Sequence, residues 1–188
     1  NGKFIDGLRY RSLHLPDYSK DRDMLLGIRD SQKIVKRHKV ETAVLHPIEI
    51  PNGYLEMVNS AEIPLAIENM GKQVKSGFRL EELLRIMENF PFVKFVLDVQ
   101  HAYEHDPTMD YARTLFDATK NKLAHLHVSG QTKEETHALV HKADNAREII
   151  DVLGYIISRR KVPIILEGVY SSTTEVKEEI DFLRKELE

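Results

Sequence analysis

An α/β fold of parallel βα units is what this chain of 188 residues predicts, on three observations. Short apolar, β-branched runs alternate along it with longer segments of helical period, the signature of strands buried on both faces and joined by crossover helices. Six of these runs stop on a residue able to hold a metal ion: YRSLH at His14, TAVLH at His46, PLAIE at Glu68, KFVLD at Asp98, LAHLH at His127 and VPIILE at Glu167. A carboxylate ending a buried run is costly unless a cation or hydrogen bonds compensate it, so six such endings together indicate a site.

Taken in order, strand Leu8–His14 precedes a helix over 20–38 with Met24, Leu25, Ile28, Ile34 and Val35 on one face. Strand Thr42–His46 precedes a shorter helix over 54–60. Strand Pro64–Glu68 leads through a loop bearing Gly71 and Gly77 to a helix over 80–90, where Leu83, Leu84 and Met87 repeat at helical spacing. Strand Phe92–Asp98 feeds, through a loop, a helix over 108–118; strand Lys122–Val128 is followed by a polar loop and a helix over 144–159; strand Val162–Glu167 precedes a charged helix over 173–187. The charged positions Glu175, Lys177, Glu178 and Glu179, like His38, His105 and His141, read as solvated surface. No low-complexity linker interrupts the chain, which predicts a single domain over 1–188.

Such units most often close into a (β/α)8 TIM-type barrel with its site at the C-terminal strand ends. Six units are visible, so the expectation is a barrel lacking its first two units. With no cysteine, a metal must sit on imidazole and carboxylate, which suits zinc or manganese, leaves room for magnesium and argues against iron–sulfur clusters. No run reaches the ~18 apolar residues of a membrane span, and no signal-peptide core is visible, so the expected location is cytoplasmic. Lys+Arg 27 against Asp+Glu 30 gives a net charge of −3, with no evident cationic footprint for a nucleic acid; Arg9, Arg11, Lys72, Lys75 and Arg79 are the best candidates for a local patch.

Several stretches resemble, in order, the endonuclease IV branch of the xylose-isomerase-like (AP endonuclease family 2) TIM barrels: His14-Leu-Pro-Asp-Tyr18, Leu45-His46-Pro47, Glu68-Asn-Met-Gly71, Ser76 to Leu83, Leu97-Asp98-Val-Gln-His101-Ala102, His125-Leu-His127-Val-Ser129, Glu135-Thr-His137 and Ile165-Leu-Glu167. The resemblance implies up to three zinc ions. His14, His46 and Glu68 would hold the first; Glu68, Asp98, His127 and Glu167 the second, with Glu68 bridging; His101, Glu135 and His137 the third. It departs from the pattern at Glu135, where aspartate is usual, at Gly130, where an acidic residue is common, and after His137, where Val140-His141-Lys142 replaces a glycine-rich turn. His125, Gln100, Ser129 and Asn69 are candidates for orienting the ligand histidines.

The reading taken from this resemblance is a zinc-dependent phosphodiesterase acting on abasic DNA, its ions activating a water and neutralising the phosphoryl group, with Glu68, Glu167 and His101 catalytic. The alternative is a sugar or sugar-phosphate isomerase or epimerase with one manganese or magnesium ion on Glu68, Asp98, His127 and Glu167, in which Glu68 and Glu167 move a proton and His101 touches a hydroxyl. Short loops after the strands favour a small substrate; the full ligand set favours the hydrolase. A barrel that binds metal and ligand without turnover is a third class. No membrane partner is expected, and an oligomer is expected if the chain is complete.

Overall fold

A computed structural model describes residues 9–16 and 24–188. The expected strand start at Leu8, helix residues 20–23, and Asp17 and Tyr18 of the first motif lie outside the described residues. The chain divides into two compact units, the described residues of Asn1–Met70 with Val74–Val96, and Gly71–Gln73 with Leu97–Glu188.

In the first unit β1 (Ser12–His14), β2 (Thr42–Leu45), β3 (Leu65–Glu68) and the start of β4 (Lys94–Asp98) are parallel neighbours in that order. β2 and β3 are buried at every position, as befits their mainly Ala, Val, Leu and Ile content. Helix α1 (Met24–His38) buries Ile28, Ser31 and Val35, a stripe at helical spacing. Leu25 and Ile34, expected on that face, are exposed. Helices α2 (Tyr54–Ser60) and α3 (Leu80–Asn89) follow β2 and β3, α3 burying Leu83 and Met87.

In the second unit Asp98 both ends β4 and opens helix α4 (Val99–His105): its carboxylate accepts the His101 amide at 2.7 Å, an N-cap hydrogen bond. The sequence reading placed a loop here. α5 (Asp110–Thr119) packs on α6 (Ala146–Ile157), and α6 on α7 (Thr173–Leu187). β6 (Ile164–Leu166) lies parallel beside β5 (Leu123–Val128), with His127 opposite Ile165. Among the described residues no helix is long and apolar enough to cross a membrane.

The C-terminal helix is not the simple solvated face its charges suggested. Glu179 is fully buried, and its carboxylate accepts hydrogen bonds from the Val140 amide (2.6 Å), the His141 amide (3.1 Å) and His141 Nδ1 (2.6 Å). It thereby pins a 3-10 turn, Val140–Lys142, onto α7. Burial pushes the nearby Tyr170 hydroxyl up to about 12, with the Glu179 charge adding to the effect. One turn earlier Lys142 Nζ meets Glu175 Oε1 at 2.7 Å, while the Ser171 hydroxyl and amide donate to Glu175 Oε2. These bonds, the Lys142 one first, draw the Glu175 carboxyl down to about 2.

Two predictions follow from this junction. Glu179→Ala leaves three donors without an acceptor in a buried place and is expected to cost roughly 3 kcal/mol in urea unfolding, with Glu179→Gln costing less. Glu175 has a folded-state pKa below the ordinary 4.5, so its contribution is complete above about 4.5 and is lost as pH falls toward about 2. Glu175→Gln should flatten the stability–pH profile across that window; an unchanged acid limb would disprove the assignment.

Candidate metal centre

Strand register accounts for the ligand cluster of the first unit. His14 pairs with Val44, and Val44 with Ala66. His46 and Glu68 each lie two residues farther along, so all three side chains leave the same face of the sheet. His46 Nε2 stands 3.5 Å and His14 Nε2 3.9 Å from Glu68 Oε2, and the two rings meet edge to face at 5.2 Å. One ligand atom from each of the three lies within 4.8 Å of the others. Glu68 is 1% exposed while His14 is 42% exposed, so the carboxylate sits at the floor and an imidazole at the mouth.

The second unit gathers its own set by the same parity, Ile165 facing His127 and Glu167 lying two residues beyond. His127 Nδ1 is 3.0 Å from Glu167 Oε1, and Asp98, His127 and Glu167 each bring a ligand atom within 4.8 Å of the others. His127 Nε2 lies 3.0 Å from Nε2 of the buried His125, which fixes the ring's orientation. His101 Nδ1 is 3.6 Å from Asp98 Oδ2.

The residues expected around a third ion are not drawn together in this way. His101 and His137 face edge to plane with centroids 5.6 Å apart, His137 Nδ1 pairs with Ser129 Oγ at 3.0 Å, and Glu135 is exposed. Among the described residues these three form no converging group. Of the candidate orienting residues, His125 and Ser129 do meet ligand-type histidines. Gln100 instead joins an amide chain, its Nε2 donating to Gln131 Oε1 (2.8 Å) and its Oε1 accepting from Asn145 Nδ2 (2.9 Å). His141, assigned to the surface, is the Glu179 partner.

Both clusters fit a divalent cation by the chemistry of their donors, imidazole and carboxylate without thiolate. Their spacing fits as well, since two donors at ~2.1 Å from a tetrahedral ion stand about 3.4 Å apart. Gly130, where the resembling family commonly carries an acidic residue, has a packing reason: a Cβ there would meet the Ala143 Cβ at 2.3 Å.

Parallel strands, each followed by a helix and carrying imidazole or carboxylate at or beside its C-terminal end, define a TIM-barrel-type α/β protein with a metal-type site. The chain belongs to the xylose isomerase-like TIM barrel family, whose sequence profile matches residues 16–186. No curated protein matches it. Among solved structures it is similar to a D-tagatose 3-epimerase-like protein (18% identity, TM-score 0.70, covering 99% of this chain and 80% of that one). It is similar also to an L-ribulose 3-epimerase (13%, 0.63, 96% and 71%). A third is D-psicose 3-epimerase from Clostridium cellulolyticum H10, solved with D-tagatose (16%, 0.59, 90% and 74%). The family is shared with the endonuclease IV resemblance; the endonuclease branch itself finds no support among these neighbours, whose names are those of epimerases.

Gly130→Ala is expected to cost roughly 1–3 kcal/mol, because the added methyl must displace Ala143 beneath the turn that carries Val140–Lys142. Chemical denaturation of the variant checks it.

Proposed function

We propose that the chain is a metal-dependent sugar isomerase or epimerase, with a divalent ion held in the second unit by Asp98, His127 and Glu167. The observation that carries this reading is the convergence of Asp98, His127 and Glu167, each within one residue of the end of its strand. The similarity to two sugar 3-epimerases and a D-tagatose 3-epimerase-like protein, each matched over most of its length, supports it over the zinc hydrolase inferred from sequence. Manganese or magnesium suits such a donor set, as does zinc.

A bound ion supplies positive charge that stabilises negative charge developing on the substrate's oxygens. The chain's own residues do the rest. Glu167 takes the proton from the carbon beside the carbonyl, breaking that C–H bond, and a proton from water returns to the opposite face for epimerisation or to the neighbouring carbon for isomerisation. His125 keeps the His127 ring in place, and His101, beside Asp98, is positioned to touch a substrate hydroxyl.

The competing reading, a three-zinc phosphodiesterase acting on abasic DNA, is favoured by the His14–His46–Glu68 cluster, which a one-ion isomerase does not need. Two arginines of the suggested DNA patch are engaged within the protein: Arg11 Nη1 donates to the His38 carbonyl and Arg79 Nη1 to Glu82.

Manganese-loaded protein incubated with a ketohexose in D2O is expected to incorporate deuterium beside the carbonyl, read by NMR. Glu167→Gln should slow that exchange about 10²–10⁴-fold, while His14→Ala and His46→Ala leave it largely intact. Nicking of abasic DNA by the zinc-loaded protein, abolished in the two histidine variants, with no exchange from any ketose, would overturn the proposal.

A further inference from the structure

A cavity of about 450 Å³ opens in the second unit, lined by Lys72, Gln73, Tyr103, Glu104, Gln131 and Thr136. The volume is that of a small-molecule site. Three links set it beside the Asp98 end of the metal-type cluster. Glu104 shares helix α4 with His101, and both crowd Gly71: a Cβ on that buried glycine would meet Glu104 Oε2 at 2.7 Å and His101 Cδ2 at 3.1 Å. Gln131 is fixed by Gln100, two residues after Asp98. Thr136 precedes His137, whose ring abuts that of His101.

The geometry points to a subsite for the non-reacting end of the substrate, and to that end being an uncharged polyol instead of a phosphate ester. This inference rests on the sugar isomerase or epimerase reading. The lining offers an ammonium, two carboxamides and two hydroxyls around one carboxylate, a mixture that can both donate to and accept from sugar hydroxyls, and Tyr103 adds a ring face for C–H groups. Glu104 decides the charge. Its Oε2 accepts the Lys72 amide at 2.7 Å, which holds the carboxylate at the cavity wall. A phosphate carrying about −1.5 to −2 charges would face that anion with a single lysine to offset it. Hydroxyl groups meet no such repulsion and give the carboxylate hydrogen-bond donors.

Calorimetric titration of the manganese-loaded chain with D-tagatose and with D-tagatose 6-phosphate tests this. The free sugar is expected to bind about tenfold or more tightly than its phosphate. Glu104→Gln, which can still accept the Lys72 amide, should narrow the gap to about threefold or less, and Lys72→Ala should weaken the free sugar by about three- to tenfold. Circular dichroism and manganese affinity check that each variant is folded, and the wild-type ratio stands as a test by itself. Equal or tighter binding of the phosphate, no binding of either sugar, or a ratio unmoved by Glu104→Gln overturns the subsite. Deuterium exchange separates the two proposals: discrimination without exchange retains the subsite and removes the isomerase or epimerase, and exchange without discrimination does the reverse.

Discussion

The molecule is organised around anionic groups kept out of water. Glu68, Asp98 and Glu179 are buried among mainly apolar side chains, and a carboxylate in such a place is tolerated only with compensation built round it. Glu179 receives that compensation wholly from the protein, two backbone amides and an imidazole at hydrogen-bond length, and its role is to tie a turn to a helix. At Glu68 the neighbours are imidazoles of His46 and His14 at 3.5 and 3.9 Å, beyond hydrogen-bond length but at the separation of donors sharing a cation. The same residue type thus serves architecture in one place and a metal-type cluster in another.

Asp98 stands between these cases. It ends β4, offers a ligand atom to His127 and Glu167, and caps α4 through the His101 amide. One carboxylate therefore sets the direction of the helix carrying His101, Tyr103 and Glu104, so that strand end, helix start and cavity wall form one mechanical piece. Gly71 completes it by lacking the side chain that would force Glu104 and His101 apart.

Much of this was legible in the sequence because the strands are buried on both faces. Unbroken runs such as TAVL and LAIE admit no other placement, and the ligand-type residue marks where each strand leaves the core. Helices over about 54–60 and 173–187 were legible in the sequence, and the structure adds that the Ser172 side chain caps the second by accepting from the Glu175 amide. Helix α4 was not, because VQHAYEH has a weak apolar period and its start depends on a hydrogen bond from a residue that also reads as a ligand. Glu179 and His141 were misplaced for a related reason: along one helix Glu179 is indistinguishable from its exposed neighbours, and only the turn 140–142, brought in by the preceding loop, makes it buried. Which ligands meet was legible for His14, His46 and Glu68 and for Asp98, His127 and Glu167, whose grouping the resemblance implied; for His101, Glu135 and His137 it was not, since among the described residues they form no converging group.

The choice between a polymer substrate and a small one turns on where positive charge is placed. Duplex binding needs cations free to follow phosphates, because affinity comes largely from replacing condensed counterions. Here Arg11 closes on the end of α1, Arg79 lies over the Phe78 ring while holding Glu82, and the overall charge is −3. Lys72 borders the described cavity, but Glu104 shares its wall. A lining that balances one cation with one anion and surrounds them with amides and hydroxyls is matched to a ligand with many hydrogen-bonding groups and no net charge. The electrostatics of the second unit therefore favour the same small, hydroxylated substrate that the convergent carboxylates are suited to deprotonate.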